Sequence, residues 1–62
     1  MHMSTQDYLK KALLDTQERV RDFMNYSDQV KDRQLKSYFK EFAEIEGEQA
    51  QKLQGFIQDM NE

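Results

Sequence analysis

Apolar and small residues recur along the first half of the chain at Leu9, Leu13, Thr16, Val20, Phe23, Ser27 and Val30. The steps alternate between four and three residues, which lays these positions on one stripe of an α-helix. Ala12, Leu14 and Met24 flank the stripe; Thr16 and Ser27 are its polar members. Leu35, Phe39, Phe42, Glu46, Gln49, Leu53, Phe56 and Met60 repeat the rhythm in the second half. Here Tyr38, Ile45, Ala50 and Ile57 widen the stripe, and Glu46 and Gln49 interrupt it.

The two stripes are out of phase. Continued past Val30 at the same spacing, the first falls on Gln34, Ser37, Glu41, Glu44, Glu48 and Gln51, all polar. The apolar face has shifted by one residue, so one straight helix would point its halves in different directions. A break resolves the conflict. The pattern predicts a helix over about 5–30, a turn at about 31–33 and a helix over about 34–60. Ser4 or Thr5 can cap the first helix, with Asp7 near the positive end of its dipole. Asp32 can cap the second, and Lys31 suits the C-terminus of the first. The turn contains neither Gly nor Pro, so the competing reading is a single long helix with one skipped residue.

A short turn makes the helices antiparallel neighbours. Val30 then faces Leu35, Phe23 faces Phe42 and Thr16 faces Gln49, with Leu13 near Leu53 and Leu9 near Phe56. The polar members meet in one layer of Thr16, Arg19, Glu46 and Gln49, where Arg19 opposes Glu46. Such a layer can fix register, as polar residues in coiled-coil seams do. The expected core and interface comprise Leu9, Leu13, Val20, Phe23, Val30, Leu35, Phe39, Phe42, Ile45, Leu53 and Phe56. Asp7–Lys11, Asp15–Arg19 and Glu48–Lys52 are spaced for ion pairs one helical turn apart. Tyr8, Tyr26 and Tyr38 read as boundary residues.

Two helices leave one side of this stripe wet. Each Phe or Leu kept in water forfeits roughly 1.5–3 kcal/mol. With 62 residues and no Cys, the chain is one small domain that needs outside help to be stable. The expected architecture is therefore an all-α, antiparallel two-helix hairpin that dimerises into a four-helix bundle around a two-fold axis.

Composition then narrows the function. Charged residues make up 34% of the chain, but four Phe, three Tyr, two Gly and no Pro argue against disorder. A net charge of −3 disfavours nucleic acid and anionic membrane as partners. No apolar run reaches the roughly 20 residues of a membrane span, and no secretory signal is visible. Together with the absence of Cys, this gives a cytoplasmic expectation. Met1-His2-Met3 reads as a tag remnant or disordered start, which leaves residues 4–62 as the domain. His2 is then the sole histidine, so nucleophile–histidine–acid catalysis has no base. Clustered glycines for a phosphate loop and basic grooves for bases are missing too.

The run Phe39-Lys40-Glu41-Phe42-Ala43-Glu44-Ile45-Glu46-Gly47-Glu48-Gln49-Ala50-Gln51-Lys52-Leu53 resembles the second helix of the rubrerythrin and ferritin-like superfamily. Asp7-Tyr8-Leu9-Lys10-Lys11-Ala12 looks like that family's first-helix opening, and the likeness extends over most of the chain. The resemblance implies a helical bundle. The family's Glu-x-x-His falls on Glu46-Gly47-Glu48-Gln49, where Glu46 matches and Gln49 replaces the histidine. Its first-helix glutamate falls near Thr16. A di-iron site of this class draws on about four carboxylates and two histidines; a dimer of this chain would offer two copies of Glu46. The resemblance thus implies the architecture and speaks against the activity. Glu46 is the single metal-ligand candidate, and no catalytic residue and no cofactor are expected. The leading expectation is a non-enzymatic, self-associating helical module that serves as a scaffold or binds another helical protein. The alternative is a ferritin-like metal-binding or oxidative-stress protein that uses carboxylates only.

Overall fold

The computed structural model describes residues 3–60. They form two helices, α1 (Thr5–Gln29) and α2 (Arg33–Met60), which pack against each other as a hairpin. The expected phase break is real and comes one residue early, at Val30–Asp32. A single uninterrupted rod is excluded. Of the expected tag at 1–3, residues 1 and 2 lie outside the described residues.

Each helix begins as the side chains dictate. Ser4 Oγ accepts from the Asp7 N–H at 3.1 Å, and Asp7 Oδ2 accepts from the Ser4 N–H at 3.2 Å. This reciprocal capping box satisfies two donors, one of them a first-turn N–H without a helical acceptor. At α2, Asp32 Oδ1 accepts from the Leu35 N–H at 2.9 Å.

The turn needs no glycine because no residue in it turns left-handed. Val30 leaves α1 at φ −83° and ψ 151°, extended backbone that a β-branched residue adopts readily, and its N–H donates to the Tyr26 carbonyl at 3.1 Å. Lys31 does not cap α1 as expected, because it lies in the turn beyond the helix. Lys36 of α2 reaches back instead: its Nζ donates to the Ser27 carbonyl at 2.9 Å. That carbonyl is among the last four of α1, which lack helical donors. In return Ser27 Oγ donates to the Lys36 carbonyl at 3.2 Å.

The buried line between the helices is made of small residues. Thr16, Ser27, Ala43 and Ala50 are the buried positions among the described residues. Their size lets the two backbones approach closely. Leu9, Leu13, Val20, Phe23, Val30, Phe39 and Leu53 are half-buried on either side of this line. Four expected core residues lie further out: Leu35, Phe42, Ile45 and Phe56 are 40%, 40%, 47% and 62% exposed. Two cylinders touch along one line, so bulky side chains off that line keep an open side. A core for these four does not exist within one hairpin.

The helical ion pairs also differ from expectation. Asp7 is taken by the capping box, so Lys11 turns forward to Asp15, 2.8 Å away. That leaves Arg19 free to cross to Glu46. No ion pair joins Glu48 and Lys52 among the described residues.

Gly47 and Gly55 sit inside α2 with helical φ, and a Cβ built on either meets nothing within 4 Å. Nothing in the hairpin requires glycine there. Gly47→Ala and Gly55→Ala are each expected to raise stability by about 0.5–1 kcal/mol, measured by thermal unfolding. A loss at Gly47 would reveal a neighbour outside the hairpin that touches its face.

Candidate interaction face

Arg19 and Glu46 meet across the hairpin as expected. Arg19 Nε donates to Glu46 Oε1 at 3.1 Å, and Arg19 Nη2 donates to Thr16 Oγ1 at 3.3 Å. Thr16 Oγ1 in turn donates to the Ala12 carbonyl at 2.7 Å. The side chains differ in exposure: Arg19 keeps 48% of its surface and Glu46 only 18%. Glu46 Oε2 is shielded from solvent and has no hydrogen-bond partner among the described residues. Glu46 bonds Arg19 and not Gln49. Gln49 is exposed and makes no hydrogen bond of its own among the described residues, so the expected buried polar layer is half realised.

The layer divides one side of the hairpin into unlike halves. Toward the turn stands an aromatic cluster. Phe42 meets Phe23 edge-on at 5.6 Å, Phe39 edge-on at 6.3 Å and Tyr38 in a stack at 6.3 Å. Tyr26 meets Phe39 at 5.6 Å. Away from the turn the same side is concave. Ala12, Thr16, Gln49, Lys52, Leu53 and Phe56 line an open hollow of ≈ 380 Å³. A second hollow of ≈ 430 Å³ lies on the opposite side, walled by Val20, Met24, Lys40, Ala43 and Glu44.

This arrangement is poor in chemistry and rich in uncovered apolar surface. Among the described residues no group of three or more His, Cys, Asp or Glu side chains is placed to hold a metal ion. Glu46, the sole candidate, is paired through Oε1 with the Arg19 guanidinium at 3.1 Å. No described helix is long and apolar enough to cross a membrane.

The hollow beside Gln49 gives that residue a simple test. Gln49→Leu adds apolar surface next to Leu53 and Phe56 and breaks no bond. It is expected to raise the urea midpoint, by up to about 1 kcal/mol in stability. A lower midpoint would mean that Gln49 is hydrogen-bonded in the folded protein.

Fold and face together define a two-helix hairpin with one broad apolar side. No family model matches the chain, and neither does any curated protein or solved structure.

Proposed function

We propose that this protein is a non-enzymatic self-association module, in which two hairpins join their apolar sides into a four-helix bundle. In this reading the bundle serves as a scaffold or an interaction platform. The observation that carries it is the exposure of Leu35, Phe42, Ile45 and Phe56 on a chain whose own buried line contains only small residues.

The dimensions argue in the same direction. The hairpin measures 45 × 24 × 11 Å, with a radius of gyration of 14.4 Å. A compact domain of this length would have a radius of about 11 Å. A 7.5 kDa monomer is expected to expose about 4,200 Å², whereas this chain exposes 5223 Å². The excess of about 1,000 Å² slightly exceeds the roughly 800 Å² that each partner contributes to a standard stable interface. A second copy is the simplest cover, because a two-fold pair presents the same apolar side twice and closes. It also supplies the second layer that stable domains are built from.

Sedimentation equilibrium tests the proposal directly. The expected mass is twice 7.5 kDa at micromolar concentration, with helicity lost on dilution as the dimer dissociates. A folded monomer across that range would overturn the reading and leave a different helical protein as the partner. Stoichiometric iron or manganese in the purified protein would favour the carboxylate metal-binding alternative.

A further inference from the structure

We infer that Arg19 and Glu46 form the layer through which the two-fold axis passes, with the hairpins docked antiparallel and Arg19 of each copy donating to Glu46 Oε2 of the other. This inference rests on the self-association proposed above and adds its orientation and its recognition chemistry.

Unused hydrogen-bonding capacity is the first argument. Within one hairpin Arg19 uses Nε on Glu46 and Nη2 on Thr16. Its Nη1 bonds nothing among the described residues, and half of the side chain remains exposed. Glu46 Oε2 is the one shielded side-chain polar atom without a partner among the described residues. A carboxylate oxygen removed from water without a donor is costly. The layer therefore offers one open donor and one open acceptor side by side. In the antiparallel pair like helices face each other, so the Arg19 guanidinium, already seated on its own Glu46 at 3.1 Å, reaches the other copy's Glu46 across the diagonal and joins two arginines and two glutamates in one network. The terminal torsion of Glu is broad and soft, so the carboxylate can turn Oε2 toward the incoming guanidinium at small cost. Arginine suits this task because its planar fork engages two carboxylates at once.

Position along the hairpin is the second argument. Arg19 lies near the middle of Thr5–Gln29, and Glu46 near the middle of Arg33–Met60. An axis through mid-length gives two antiparallel hairpins full overlap, so neither end of the apolar side is left uncovered. Shape is the third. The aromatic cluster around Phe42 stands on the turn half, and the ≈ 380 Å³ hollow lies on the other half. Antiparallel docking sets the cluster of one copy over the hollow of the other. Parallel docking would set cluster on cluster and hollow on hollow.

Charge reversal separates this layer from the dimer as a whole. Arg19→Glu alone places four carboxylates at the axis, and Glu46→Arg alone places four cations there. Each variant is expected to self-associate about 100-fold or more weakly, since like charges gathered at an interface repel. Mixed together, the two variants should form a 1:1 heterodimer, read by native mass spectrometry. If either variant is unfolded alone, helicity recovered on mixing counts in the same direction, and a mixture that stays unfolded overturns the inference. Variants that each homodimerise as tightly as the wild type would overturn the layer while leaving self-association intact. A monomeric wild type would remove both. Orientation is read separately. The chain has no native cysteine, so Lys31→Cys carries a single nitroxide in the turn. Labels separated by about the 45 Å long dimension support antiparallel docking. Labels within about 20 Å, two interhelical spacings, overturn it.

Discussion

Phe42→Ala is expected to destabilise the assembled protein by about 3–5 kcal/mol per chain and to convert much of it to monomer at micromolar concentration. Phe42 is the hub of the aromatic cluster, with ring centres of Phe23, Phe39 and Tyr38 between 5.6 and 6.3 Å away. In a lone hairpin the ring is 40% exposed. Its removal there would cost less than about 2 kcal/mol, because part of its transfer energy was never gained and no closed cavity forms. The two magnitudes separate a covered face from an open one. Urea unfolding followed by circular dichroism at two protein concentrations measures both. The wild-type midpoint should rise with concentration; the variant midpoint should fall well below it at both concentrations. An unchanged midpoint would show that the cluster takes no part in a covered interior.

The helices, the break between them and two of the facing pairs, Phe23–Phe42 and Arg19–Glu46, were legible in the amino-acid sequence, because each follows from one periodicity. A 3.6-residue helix that keeps its apolar side inward cannot absorb a one-residue shift between Val30 and Leu35. The chain has to fold back there. Once the turn is placed, Arg19 must oppose Glu46 and Phe23 must oppose Phe42, as they do. Thr16 and Ser27 of the stripe and Ala50 beside it are buried, but the burial of Ala43 and the exposure of the bulky residues were not legible in the same way. Pattern reading ranks positions by hydrophobicity, whereas the line of closest approach between two helices selects for size. Ala43 stood outside the apolar stripe and is buried, while Phe56 stood in it and is the more exposed.

The ion pairs misled for a different reason. Spacing permits Asp7–Lys11 and Asp15–Arg19, but it does not choose among the partners within reach of each side chain. The capping box takes Asp7, Lys11 moves on to Asp15, and Arg19 is released to α2. Arg19 thus pairs across the hairpin and not along its own helix, a choice that spacing within one helix does not express. The missing glycine in the turn was likewise ambiguous from sequence. It counts against a left-handed exit from α1 but not against an extended one, and Val30 takes the extended one.

The small residues between the helices carry the second large effect. Ala43 and Ala50 are 5% and 9% exposed and occupy the contact line from the α2 side, with Thr16 and Ser27 buried on the α1 side. The Ser27–Lys36 exchange, at 3.2 Å and 2.9 Å, requires this close approach. Leucine at position 43 has no room between the helices, and the axes must separate to accept it. Ala43→Leu or Ala50→Leu is therefore expected to cost about 1–3 kcal/mol, the usual range for overpacking. The double variant should approach the sum if the two sites, two helical turns apart, act independently. The sign is the informative part. Both changes add apolar surface and improve the hydrophobic pattern, so an account based on the pattern alone predicts stabilisation. An account based on the contact line predicts loss, together with a weakened Ser27–Lys36 pair. Amide hydrogen exchange reads the second effect locally, as faster exchange at the end of α1 next to the turn. Leucine variants that melt higher than the parent would mean that the helices are not held by their small residues.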